Sequence, residues 1–181
     1  MKKILTLSIS LLLLVGCASM EQQYQETTSK IETPIFNSTV DKFTGQKKIS
    51  WAKHYRSSFD LYQNGEFGKT VSVTIDPKTK EWVSSIILSK DSKEHRYLRC
   101  KTTNWLVDGK IIKPKAVLFD SKINRNPVHV SEMLIVGFSK EDFATLAKAN
   151  KIEYRVCNDE YEMTAEEKEG IRTVYQEAIN N

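Results

Sequence analysis

From residue 40 to residue 139 the sequence mostly alternates apolar and polar residues with period two, and turn-forming pairs interrupt it. In KTVSVTI, Val71, Val73 and Ile75 share one side while Thr70, Ser72 and Thr74 share the other. Successive side chains of a strand point to opposite faces, so this run is a strand with one face on a core and one toward solvent. Asn64-Gly65, Asp76-Pro77 and Asp108-Gly109 supply the turns. Residues 69–75 and 81–89 therefore pair as a hairpin across Asp76-Pro77-Lys78-Thr79. A second hairpin joins YLRCKTTNWLV to KIIK through Asp108-Gly109, where both central residues need φ > 0. Strands over 116–123 and 128–138 continue the antiparallel series.

Period 3.6 replaces period two near the C-terminus. In SKEDFATLAKAN, Ser139 caps the first turn, Glu141 and Asp142 complement the helix dipole, and Phe143, Leu146 and Ala147 form an apolar stripe. In TAEEKEGIRTVYQEAI, Thr164 and Glu167 have capping-box spacing, and Ile171, Val174, Tyr175, Ala178 and Ile179 recur at three and four. A short strand, 151–157, lies between them. The expected fold is α+β: an antiparallel sheet of six to eight strands, strongly curved or folded into a sandwich, with two C-terminal helices on it.

The start of the chain obeys neither period. Lys2 and Lys3 precede an apolar run, Ile4 to Leu14, too short to cross a bilayer core of about 30 Å as a helix. This is the pattern of an export signal, and its end, Leu14-Val15-Gly16-Cys17, resembles the lipobox of bacterial lipoproteins. The resemblance implies a diacylglycerol thioether on Cys17, removal of residues 1–16 and acylation of the new amino terminus. A thiolate is the nucleophile that such alkylation needs, and several acyl chains together hold a protein on a membrane. Ala18 and Ser19 follow the cysteine, and the lack of Asp there resembles the outer-membrane pattern of Gram-negative lipoproteins. The resemblance thus places the protein in the cell envelope, on the outer membrane facing the periplasm if the organism has two membranes.

Residues 17–38 are polar, carry Pro34 and show no period, as a tether does. The expected organisation is a signal peptide over 1–16, a lipidated tether over 17–38 and one globular domain over 39–181. DKFTG, LVDG and the C-terminal arrangement loosely resemble uncharacterised exported bacterial proteins, and this resemblance implies no activity.

Without residues 1–16 the basic and acidic groups nearly balance, 25 against 23, which argues against a nucleic-acid partner. Residues 90–125 carry 10 basic and 4 acidic groups, and residues 126–181 carry 6 and 11. A basic surface for an anionic envelope component is one reading; solvated outer faces of strands are the plainer one. Any real patch has to be assembled across neighbouring strands from groups such as Lys110, Lys113, Lys115 and Arg125.

Cys100 and Cys157 remain after export and are candidates for a disulfide. Alternation places Cys157 opposite Ile152, Tyr154 and Val156, so the bridge needs a bulge or strand end there. The histidines His54, His95 and His129 have no metal-pair spacing, and no G-x-S-x-G, H-E-x-x-H or P-loop occurs. No catalytic residue, cofactor or metal site is therefore assigned. One residue breaks its pattern: Glu132 shares a face with Val128, Val130, Leu134, Val136 and Phe138. A carboxylate there must be paired, protonated or at a cleft, because burying it ionised and alone costs too much. Trp51, Trp82 and Trp105 suit core packing better than a sugar-stacking groove. The reading as a whole is a non-catalytic envelope module that binds an anionic component or an envelope protein; the alternative is an envelope enzyme around Glu132 and a histidine.

Overall fold

The computed structural model describes residues 35–53, 67–125 and 128–180. The signal segment, Cys17, the tether as far as residue 34, His54 and the Asn64-Gly65 turn lie outside the described residues. Ten strands and two helices are seen among those described: β1 (Ile35–Val40), β2 (Lys47–Ala52), β3 (Gly68–Ile75), β4 (Trp82–Ser92), β5 (Thr103–Val107), β6 (Lys110–Ile112), β7 (Ala116–Arg125), β8 (Val128–Phe138), α1 (Lys140–Lys148), β9 (Ile152–Val156), β10 (Asp159–Glu162) and α2 (Ala165–Ile179). They form a six-stranded sheet in the order β1-β2-β3-β4-β8-β7 and a four-stranded sheet in the order β10-β9-β5-β6. Every pairing is antiparallel. The α+β class follows from the alternation, which yields two sheets rather than one.

Two hairpins of the larger sheet close with the same turn. In Asp41-Lys42-Phe43-Thr44-Gly45, the Asp41 carboxylate accepts the amides of Phe43 and Thr44, both at 2.8 Å, and Gly45 donates back to the Asp41 carbonyl. In Asp76-Pro77-Lys78-Thr79-Lys80, Asp76 accepts from Lys78 at 2.7 Å and Thr79 at 3.0 Å, and Lys80 donates to the Asp76 carbonyl. The amides of Thr44 and Phe43 hold the Asp41 carboxyl below its ordinary range, and those of Thr79 and Lys78 do so for Asp76. The Asp108-Gly109 turn has φ of +47° and +79°, as a two-residue hairpin loop requires. Asp108 also ties β5 to β9 by accepting the amides of Lys151 at 2.8 Å and Asn150 at 3.1 Å.

One face of the six-stranded sheet carries Ile49, Trp51, Val71, Val73, Ile86, Leu88, Leu134 and Val136 into a single core with the helices and the smaller sheet. Trp105 of β5 meets Phe138 of β8 edge to face at 5.1 Å. Helix α2 lies so close on β2 that a Cβ at Gly170 would overlap the Trp51 indole. Both helices start as their capping residues predict: Ser139 accepts from Asp142, and Thr164 and Glu167 form the reciprocal capping box.

Three details differ from the sequence reading. Strand β1 starts at Ile35, inside the segment read as tether; it is an edge strand exposed at every position, so it has no apolar face for a periodicity to reveal. The run YLRCKTTNWLV is a strand only from Thr103 onward, because Tyr97 turns into the core at 1% exposure while Leu98 stays 45% exposed. The four residues of β10, given no element in the sequence reading, form a strand that returns on β9 through the two-residue loop Cys157-Asn158.

Candidate functional site

Charged residues lie where alternation demands apolar ones at one end of the larger sheet's core face. Lys69 on β3 is in phase with Val71 and Val73, and Lys90 on β4 is in phase with Ile86 and Leu88. Lys90 lies opposite Glu132 of β8 in the register. The three are 5%, 2% and 1% exposed, so each must find compensation inside. Lys69 Nζ donates to Glu167 Oε1 of α2 at 2.7 Å. Lys90 Nζ lies 5.2 Å from the Phe67 ring centre and 5.5 Å from that of Tyr161, within reach of a cation–π contact.

Glu132 is compensated by backbone. Its two carboxylate oxygens accept the amides of Arg96 and Tyr97, each at 2.9 Å, and His95 Nδ1 lies 3.7 Å from Oε1. The carboxylate thereby fastens the segment 93–102 over the end of the sheet, which is why that segment departs from strand geometry. His129 points the other way, against Asn124 at 3.0 Å, so β8 keeps it apart from Glu132. Among the described residues no group of three or more His, Cys, Asp or Glu is arranged to hold a metal.

Aromatic rings wall this charged end. Phe67 lies 5.4 Å from Tyr97 and 5.0 Å from Tyr161, and Tyr161 stacks on Tyr154 at 5.3 Å. Tyr97 donates its hydroxyl to Asp159 at 2.7 Å and sits 3.2 Å from the Tyr161 hydroxyl, with Arg96 3.4 Å from the same carboxylate. Burial, then the hydrogen bonds to Tyr161 and Asp159, push the Tyr97 phenol far above its ordinary range; burial likewise raises Tyr161. Cys100 and Cys157 are joined in a disulfide with Cα atoms 5.8 Å apart, tying the end of the 93–102 segment to the β9–β10 loop. Cys157 has φ of +56° just beyond the last residue of β9, and this left-handed turn carries it out of the strand's alternation.

This end of the core positions segments, with each Glu132 oxygen engaged by one backbone amide. The signals for Lys69 and Lys90 were present in the sequence as charges in phase with apolar neighbours, yet only Glu132 was singled out. Trp51 and Trp105 are buried at 4% and 1%, and Trp82 packs on Tyr175 at 6.0 Å under Lys140; the three do not share a groove.

An open cleft of about 430 Å³ lies on the four-stranded sheet, where Tyr154 and Tyr161 of the aromatic wall also line it. Leu106 and Ile111 give it apolar surface, Ile111 being 76% exposed, while Glu153, Arg155, Glu160 and Glu162 give it charge. Lys151 bridges Glu153 at 2.8 Å and Glu162 at 3.7 Å, and Arg155 lies 3.7 Å from Glu160. Four of the basic groups of 90–125 are placed apart from one another. Lys90 is buried, Lys101 covers the Phe119 ring at 5.2 Å, and Lys115 and Arg125 flank β7 at opposite ends, about 30 Å apart.

No family model matches the chain, and no curated protein matches it.

Proposed function

We propose that the protein is a lipid-anchored component of the bacterial cell envelope, held by Cys17, whose folded domain is a non-catalytic module that binds an envelope protein. The reading of the domain rests on one observation, the open cleft on the four-stranded sheet, with apolar surface at Leu106 and Ile111 beside three carboxylates. A concave site that mixes apolar surface with a few placed charges is a usual form of binding site. Its mixed charges, three carboxylates with Arg155 and the neighbouring Lys151, favour a protein surface with polar and apolar side chains over an anionic polymer. The anchor rests on the lipobox resemblance, and the Cys100–Cys157 disulfide suits an oxidising compartment outside the cytosol. The engagement of both Glu132 oxygens by backbone amides weighs against a general base there.

The test is crosslinking on intact cells followed by capture of the protein and identification of its partners. Capture of one envelope protein by the native chain, lost on Leu106→Asp with Ile111→Asp, supports the reading. Equal capture by that variant moves the site elsewhere. The anchor is checked separately by fatty-acid labelling: label is expected on the native chain and not on Cys17→Ser, and label on that variant rejects Cys17 as the anchor.

A further inference from the structure

The twin turns of the six-stranded sheet lie side by side. The two hairpins turn at the same end, because Val40, Lys47, Ile75 and Trp82 form one row across β1 to β4. A Cβ at Gly45 would lie 3.3 Å from Pro77 Cγ, so the turns touch. This end exposes apolar side chains that no packing requirement explains: Phe43 is 86% exposed, Val83 68% and Val40 62%. Lysines stand among them. Lys42 Nζ lies 4.8 Å from the Phe43 ring centre and Lys140 Nζ 4.3 Å from that of Trp82, and Lys48, Lys78 and Lys80 are exposed on the same end. Of the carboxylates at this end, Asp41 and Asp76 each accept two backbone amides through one oxygen and Glu81 is exposed beside Lys80, so the five lysines outnumber three carboxylates.

From this juxtaposition we infer that the paired turns, with Phe43 at their tip, are a docking surface for an anionic phospholipid bilayer. Aromatic rings ringed by lysines suit the lipid interface, where the ring enters the headgroup boundary and the ammonium groups meet phosphates. The apolar side chains stand singly around this end: Val40 shares the row and face of Ile75 and Trp82, whereas Val83, one residue beyond Trp82, points to the other face. Such an arrangement fits a deformable lipid surface better than a rigid partner, whose anchor residues would enter pockets. Each turn is held by side-chain and backbone hydrogen bonds, so presenting Phe43 costs little further ordering. The surface is separate from the cleft proposed to bind protein and does not depend on lipidation. If Cys17 is anchored as proposed, residues 17–34 reach at most about 60 Å, enough to pass the roughly 20 Å of β1 and bring the turns to the same membrane.

The experiment uses the chain from residue 18 onward, which keeps every residue of the described core, with vesicles of phosphatidylcholine alone and of phosphatidylcholine with equal phosphatidylglycerol. The native chain is expected to bind the mixed vesicles at low salt and to leave the neutral ones. Phe43→Ser and, separately, Lys42→Glu with Lys78→Glu are expected to weaken binding about tenfold each, while Ile111→Ser on the other sheet leaves it unchanged. Phe43→Trp should add a tryptophan emission that shifts to the blue on mixed vesicles. All substituted positions are exposed, and circular dichroism verifies the fold. Absence of binding by the native chain, native-like binding by the Phe43 or lysine variants, or equal loss from Ile111→Ser would overturn the inference. Self-association abolished by Phe43→Ser without vesicle binding would do so too, assigning the turns to a second copy. Fatty-acid labelling of Cys17 reads the anchor independently, so either reading can fail alone.

Discussion

Lys69 of β3 and Glu167 of α2 meet 2.7 Å apart in the interior, their side chains 4% and 1% exposed, and Glu167 also closes the capping box of its helix. One carboxylate therefore sets where α2 starts and how it sits on the sheet. Removing one partner of a buried pair strands the other charge without water. Glu167→Gln keeps an acceptor for the Thr164 amide but removes the charge and sets an NH2 donor against the Lys69 ammonium, so about 3 kcal/mol of stability should be lost in urea unfolding. Lys69→Met added to Glu167→Gln should restore part of that loss, with a coupling of about 1–3 kcal/mol.

Glu132 performs the equivalent task for the segment 93–102, through backbone rather than side-chain donors. Glu132→Gln retains one oxygen acceptor and turns the other position into a donor facing an amide. The expected loss is about 1–3 kcal/mol, and hydrogen exchange at the Arg96 and Tyr97 amides should quicken more than in the strands. Unchanged protection at those two amides would contradict the fastening role.

Residues with a strict local period were legible in the sequence. The β3–β4 hairpin, the Asp108-Gly109 turn, β8 and both helix caps depend on neighbours two to four positions away, and the sequence carries those distances directly. Glu132 could be seen as anomalous for the same reason. Its partners could not, because backbone amides carry no residue-specific signal and Arg96 and Tyr97 lie far from it in the chain. Strand β1 escaped because an edge strand with two exposed faces leaves no alternation. The likeness between the Asp41 and Asp76 turns was visible as D-x-x-T, but it became a surface feature only once the register put the turns side by side.

The disulfide joins residues 57 apart in sequence and fixes the same segment that Glu132 fastens. Mass spectrometry of the native protein without reductant should find one hydrogen pair missing and no alkylatable thiol at Cys100 or Cys157. Cys100→Ala with Cys157→Ala should lower stability by about 4 kcal/mol on the chain-entropy account. It should also quicken exchange at 93–102 beyond what Glu132→Gln does alone, since both constraints act on one segment. Two free thiols in freshly isolated protein would reject the bridge.

Tyr97 makes stability sensitive to alkaline pH. Its phenol is held neutral by burial first, then by the hydrogen bonds to Tyr161 and Asp159, and its value in the folded chain lies above the ordinary 10.0. In the unfolded chain the phenol ionises near that ordinary value. Above it the unfolded state binds fewer protons than the folded one, so stability falls as pH rises. The contribution is thus complete below about pH 10 and declines above it, toward the raised folded value. Unfolding free energies measured from neutral pH to about pH 11 should drop more steeply for the native chain than for Tyr97→Phe, which has no proton to lose. Tyr97→Phe should also be less stable at neutral pH by about 1–3 kcal/mol, because Asp159 loses the hydroxyl it accepts. Parallel curves for the two proteins would mean that the Tyr97 phenol ionises as freely in the fold as in water.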